Sequence, residues 1–112
     1  ESCRYANQIP TWAKYVDGIN LKLMKCGGIT EGLKIINTAR DYGLKTMIGC
    51  MSESSLSIAA SASISGIIDH IDLDSHYNLN PDPSIGVTLI NGITSVSDNP
   101  GHGGELKKTF YA

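Results

Sequence analysis

The sequence is short of several things, and each shortage closes off a class of protein. It has three cysteines, Cys3, Cys26 and Cys50, an odd number with no C-x-x-C pair. A disulfide framework and a zinc knuckle both fit poorly, and reduced thiols in a cytoplasmic protein are the expectation. The histidines His70, His76 and His102 lack H-E-x-x-H or comparable ligand spacing. No apolar run approaches the ~20 residues of a membrane span. Charge of one sign is not in excess: 9 Lys and Arg stand against 11 Asp and Glu, a net charge of -2. With its basic residues scattered and a pI near 5.8, nucleic acid is not an expected partner. The opening Glu1-Ser2-Cys3-Arg4 has neither an initiator Met nor an apolar h-region, so no signal peptide is expected and Glu1 is not expected to be a natural start.

What is present suits a folded core. Hydrophobic residues make up 41% of 112 and charged residues 18%, which argues against disorder and allows one domain or a piece of a larger one. Strand and helix patterns alternate. Ala6 to Tyr15 reads as a short helix with Pro10 in its first turn. Ile19 to Met24 reads as a strand, with Ile19, Leu21 and Leu23 alternating against Asn20, Lys22 and Met24. Ile29 to Tyr42 is an amphipathic helix with Ile29, Leu33, Ile36 and Ala39 on one stripe, ended by Gly43. Thr46 to Cys50 is a second strand. A helix of small residues follows, capped by Ser52, Ser54 or Ser55 and running to about Ser65. Ile68 to Asp74 holds a third strand, with His70, Asp72 and Asp74 on one side. Asn78 to Pro83 is loop. Asn91-Gly92, between Val87–Ile90 and Ile93–Val96, signals a hairpin. Asp98 to Gly104 is loop again, and a polar tail ends the chain.

Strands separated by helices imply parallel βα units, in a doubly wound sheet or in part of a (β/α)₈ barrel. The strand polarity favours the barrel. One set of side chains on each strand is apolar and suits cover by helices. The other set is polar toward the C-terminal end, where a barrel opens into its active site.

Three groups carry potential chemistry. Lys22 sits in an otherwise apolar strand. Enclosed, a lysine gives up its proton more readily and serves as a general base; the plainer alternative is a strand-end lysine reaching solvent. Asp72 and Asp74, at i and i+2 on a strand, project to one face. Such close carboxylates call for a cation, whether a metal, a basic side chain or a ligand amine; a solvated strand end is the alternative. Glu53 either lines the site or complements the dipole of the helix that follows it. His70 shares the face of the two aspartates and reads as a hydrogen-bonded core histidine. Gly27-Gly28 reads as a tight βα turn, since it matches neither G-x-G-x-x-G nor the P-loop.

Several segments taken together resemble one family. Asp17-Gly18-Ile19-Asn20-Leu21-Lys22-Leu23-Met24-Lys25-Cys26-Gly27-Gly28, then Gly49-Cys50-Met51-Ser52-Glu53-Ser54, then Asp72-Leu73-Asp74, look like the last strands of an enolase-superfamily barrel. The subgroup is the muconate-lactonizing type, most like dipeptide epimerases of the L-Ala-D/L-Glu epimerase kind. The resemblance runs from Glu1 to about Gly104. It implies an α/β fold: the C-terminal portion, about strands 6–8 with their helices, of a (β/α)₈ TIM-type barrel, plus a C-terminal β-hairpin segment. Residues 1–77 would be the last three βα units and residues 78–112 the returning loop and hairpin. The capping domain and the first five barrel strands have no counterpart here.

The resemblance also implies roles. Lys22, rather than Lys25, matches the lysine that is one of two acid/base residues. The seventh-strand segment places Cys50 against the ligand, with Met51 and Glu53 beside it. Asp72 and Asp74 match the D-x-D that holds a substrate's free α-ammonium. Mg²⁺ is the implied cofactor, stabilising the enediolate formed on proton loss. Its ligands are expected upstream of Glu1, the last of them in the residue just before it, so no metal ligand is expected in this chain. The implied reaction is epimerisation at the α-carbon of a dipeptide's C-terminal residue in the cytoplasm, with no nucleic-acid or membrane partner and with a homo-oligomer of the whole enzyme left open. The 112 residues alone are expected to be inactive. N-acylamino acid racemase, o-succinylbenzoate synthase and muconate cycloisomerase are the alternatives within the superfamily; their substrates lack the ammonium that the D-x-D would bind. A truncated, non-catalytic half-barrel is the alternative of another class.

Overall fold

A computed structural model describes residues 2–110. Glu1, and with it the start of the segment expected to follow a metal ligand, lies outside the described residues, as do Tyr111 and Ala112.

Three parallel strands form the central sheet in the order β1-β2-β3: β1 (Gly18–Leu21), β2 (Lys45–Ile48) and β3 (His70–Ile71). Each connection crosses over through helix, as parallel pairing requires. Between β1 and β2 lie α2 (Leu23–Cys26) and α3 (Ile29–Asp41); between β2 and β3 lies α4 (Ser55–Ala62). Ahead of the sheet comes α1 (Ile9–Trp12), with Pro10 in its opening turn as its fixed φ suggests.

The described residues cover one face of the sheet. Ile19, Leu21, Thr46 and Ile48 point under the helices and are buried, against Ile35, Ile36 and Ala39 of α3 and Ile9 of α1. Each buried isoleucine contributes about 1.5–3 kcal/mol. The opposite face carries Asn20, Met47 and His70, paired across the three strands. Asn20 and His70 are exposed. The expected core histidine is therefore a surface residue here, because no described segment covers its face.

Strand lengths differ from the sequence reading. β1 stops at Leu21, and Leu23 to Cys26 wind into a helical turn. Met24 thus leaves the strand's polar face and lies exposed. On α3, Ile36 and Ala39 of the expected stripe are buried, but Leu33 is exposed and Gly32 and Ile35 complete the core face. β3 is two residues long.

Beyond β3 a 3-10 turn (Ser75–Asn78) leads to β4 (Ser84–Ile85), which pairs with β7 (Glu105–Leu106). The expected polar tail thus contains a strand. β5 (Thr88–Ile90) and β6 (Ile93–Ser95) form the predicted hairpin. Asn91 and Gly92 take φ of 52° and 79°, as a two-residue hairpin turn demands. The segment docks on the start of α4. Ser54 occupies the N-cap position but makes no capping hydrogen bond there. Instead Asp82 Oδ2 accepts from the Ser55 N–H at 3.0 Å and Ser84 Oγ from the Leu56 N–H at 2.9 Å. Gly86 passes so close that an added Cβ would overlap the Ser55 carbonyl.

Candidate active site at the strand ends

The parallel register aligns Leu21, Ile48 and Ile71 across the sheet. The ladder continues one step further: Gly49 N–H donates to Leu21 C=O, and Asp72 N–H to Ile48 C=O, each at 2.9 Å. The next row is therefore Lys22, Gly49 and Asp72, back on the open face. The central member has no side chain. A Cβ on Gly49 would stand 3.2 Å from Lys22 Cε and 3.1 Å from Asn20 Oδ1. The missing methyl lets the lysine stem lie across the end of β2.

Lys22 Nζ reaches Met51 Sδ at 3.9 Å. On the other side of β2, Cys50 Sγ lies 4.0 Å from Asp74 Oδ1. The Cys50–Met51 turn thus touches the lysine on one flank and the D-x-D on the other. Asp72 and Asp74 are exposed and line a cleft of about 320 Å³ with Tyr77 and Thr94. Tyr77 Oη and Thr94 Oγ1, 2.7 Å apart, tie the segment after the D-x-D to the hairpin. Lys22 lines a separate pocket of about 40 Å³ with Cys3, Arg4, Asn20 and Lys25. The two flanks are joined by the turn rather than by one cavity.

Glu53 sits inside this turn, only 3% exposed. Its Oε1 accepts from the Met51 N–H at 2.8 Å, and its Oε2 from the Ser57 hydroxyl. Its own N–H donates to Ser75 Oγ at 3.2 Å, next to Asp74. Both carboxylate oxygens are occupied within the chain. Ser57 and Ser75 stand outside the sequence motifs. The first was legible as the i+4 partner of Glu53 across one helical turn; the second is a long-range contact with no local signal. His76, buried beside the ring of Tyr77 at 4.0 Å, stands outside those motifs as well. Burial pushes its imidazole below the usual histidine range, against the opposing pull of Asp82 and Asp74.

The strands' other ends are built differently. Asp69 Oδ2 accepts both the Thr46 N–H at 2.9 Å and the Thr46 hydroxyl at 2.8 Å, and Oδ1 faces Lys45 Nζ at 3.4 Å. The Thr46 backbone bond, then the Thr46 hydroxyl, bring this carboxyl down to about 2. Cys3, Cys26 and Cys50 are free thiols. Among the described residues no three of His, Cys, Asp and Glu gather as a metal site. No helix among them is long and apolar enough to cross a membrane.

Parallel strands backed by helices on one face, with a lysine and paired carboxylates at their C-terminal ends, define a portion of a (β/α) barrel. The chain belongs to the family described as Enolase C-terminal domain-like, which it matches over residues 2–110. It is 67% identical, over all of its length, to 32% of a hydrophobic dipeptide epimerase of a Flavobacteria bacterium. Its fold matches the crystal structure of the dipeptide epimerase from Cytophaga hutchinsonii complexed with Mg and the dipeptide D-Ala-L-Val. That match has a TM-score of 0.87 and 29% identity, over 97% of this chain and 32% of that one. The N-succinyl Arg/Lys racemase from Bacillus cereus matches with a TM-score of 0.86 and 25% identity, over 96% and 30%. The chain spans about a third of the length of the proteins it matches.

Proposed function

We propose that the whole protein to which this chain belongs is a cytoplasmic dipeptide epimerase. It takes a proton from the α-carbon of the dipeptide's C-terminal residue and returns one to the opposite face. The observation that carries this reading is the row Lys22–Gly49–Asp72, extended by Asp74. It brings a lysine and a pair of carboxylates to the same face at the ends of β1 and β3, either side of the side-chain-free Gly49 on β2, which supports reading them as an amine base and an ammonium-binding pair. Lys22 is one acid/base residue. Asp72 and Asp74 hold the substrate's free amine, while Cys50 lines the floor between them.

Two carboxylates side by side repel until a cation joins them, and a dipeptide's ammonium is such a cation. Its capture fixes the distance to the C-terminal residue's α-carbon, which is bonded directly to the peptide nitrogen, so binding also orients the proton toward a base. The solved relative holds Mg with its dipeptide. No residue described here is assigned to such an ion, and none of these steps is routed through it.

The test is α-proton exchange in D₂O followed by NMR, with the full-length protein, Mg²⁺, L-Ala-L-Glu and several hydrophobic dipeptides. Wild type should lose the α-proton signal from both epimers. Lys22→Ala should lose exchange from one epimer by about 10²–10⁴-fold, the usual worth of a positioned base. The likeness to an N-succinyl amino acid racemase favours one second reading, racemisation of an acylated amino acid. Exchange of N-succinyl substrates, with none on any dipeptide, would move the function there.

A further inference from the structure

Among the described residues the Lys22 ammonium has one polar contact, and it is neither a carboxylate nor a carbonyl but the Met51 thioether at 3.9 Å. Met51 is 36% exposed, too open for core packing to account for its place. Its backbone is nevertheless fixed, because the buried Glu53 carboxylate grips the Met51 N–H at 2.8 Å and is itself held by Ser57. Gly49 leaves the room in which Lys22 Cε crosses toward that sulfur.

We propose that Met51 is a positioning residue for Lys22: its thioether, set in place by Glu53, steers the terminal nitrogen of the acid/base lysine without bringing a charge to it. The inference rests on the epimerase reading for the role of Lys22. The choice of side chain follows from what a proton-shuttling amine tolerates. A carboxylate at this position would hold the ammonium protonated and oppose proton abstraction. A hydrocarbon would fill the space yet accept nothing. A thioether is a weak, polarizable acceptor on a flexible stem, able to follow the nitrogen in both protonation states.

Two measurements on the full-length protein test this. In the first, α-proton exchange is read separately for the two epimers of a dipeptide that wild type accepts. Met51→Leu should slow exchange about tenfold from the epimer that Lys22→Ala abolishes, and less than about twofold from the other, with KM nearly unchanged. Equal slowing of both epimers would mean a merely structural role and overturns the proposal, as does no slowing at all. In the second, Lys22 is methylated with formaldehyde and cyanoborohydride at pH 8 and followed by mass spectrometry. Met51→Glu should slow its modification about tenfold by stabilising the ammonium. Equal rates in variant and wild type would show that position 51 does not meet the lysine, and overturn the proposal. If wild type exchanges no dipeptide, the epimerase reading falls by itself, and the methylation rates still decide the contact.

Discussion

The two ends of the parallel sheet hold the same kinds of side chain in opposite conditions. At the N-terminal end, Asp69 takes two hydrogen bonds from Thr46 and faces Lys45, and its carboxyl is drawn down to about 2. At the C-terminal end, three and five residues further on, Asp72 and Asp74 stand exposed, and the hydrogen-bond contact of the Asp74 carboxylate among the described residues is a thiol 4.0 Å away. Lys45 has an aspartate; Lys22 has a thioether. Charges that already have their partners stabilise a fold, whereas charges held in place without them are available to a ligand. A barrel segregates the two uses between its ends, and this sheet shows the division around one short strand, β3, with Asp69 before it and Asp72 and Asp74 after it.

The sharpest way to break the comparison is to neutralise one of the exposed pair. Asp72→Asn should lower kcat/KM for a free-amine dipeptide by about 10–100-fold, the worth of one charge-assisted contact. The same substrate N-acetylated should be affected far less, and Tm should hardly move. Equal losses on both substrates would remove the ammonium from the account.

A smaller effect is expected from closing the gap between the flanks. Gly49→Ala places a methyl 3.2 Å from Lys22 Cε and 3.1 Å from Asn20 Oδ1. The lysine stem must shift by a few tenths of an ångström, and exchange from the Lys22-dependent epimer should slow about tenfold. Unchanged exchange in a variant of unchanged stability would show that the stem does not need this path.

Much of this division was legible in the sequence, and the gaps have physical reasons. The alternation of β1, α3, β2 and α4 and the Asn91-Gly92 turn follow from local periodicity and turn chemistry, which a sequence displays. The place where β1 ends does not. Lys22 is the last extended residue, and the next four wind into a turn ended by Gly27 at φ 90°. Alternation alone carried the strand on to Met24. Capping of α4 by Asp82 and Ser84 is also long-range, so the serines nearer the helix looked like the caps. β7 is a two-residue strand whose partner lies some twenty residues earlier, beyond any local pattern. Asp69 has no local signal, because its partner, Thr46, is on a different strand and nothing in Ile68-Asp69-His70 announces it.

Asp69 supplies the mildest change at neutral pH and the counterpart to the others. Its carboxyl lies at about 2 in the folded chain against 3.8 for a free aspartate. A group with a depressed value contributes stability above the unfolded value and loses it as pH falls through the folded one. That contribution is complete above about pH 4 and fades toward pH 2. Asp69→Asn keeps the shape but not the charge: its one oxygen serves either Thr46 or Lys45, and its amide N–H2 then meets the other. The full-length variant should melt at a lower temperature than wild type at pH 7, by a margin that narrows as pH is lowered from about 4 toward 2. Exchange from both epimers at pH 7, well below the melting range, should stay within about twofold of wild type, since no reacting group is near. Circular dichroism melts across pH, paired with NMR exchange rates, read both sides. Exchange reduced about tenfold at an unchanged Tm would mean that the N-terminal end of the sheet also acts on the chemistry, and the contrast between the two ends would no longer hold.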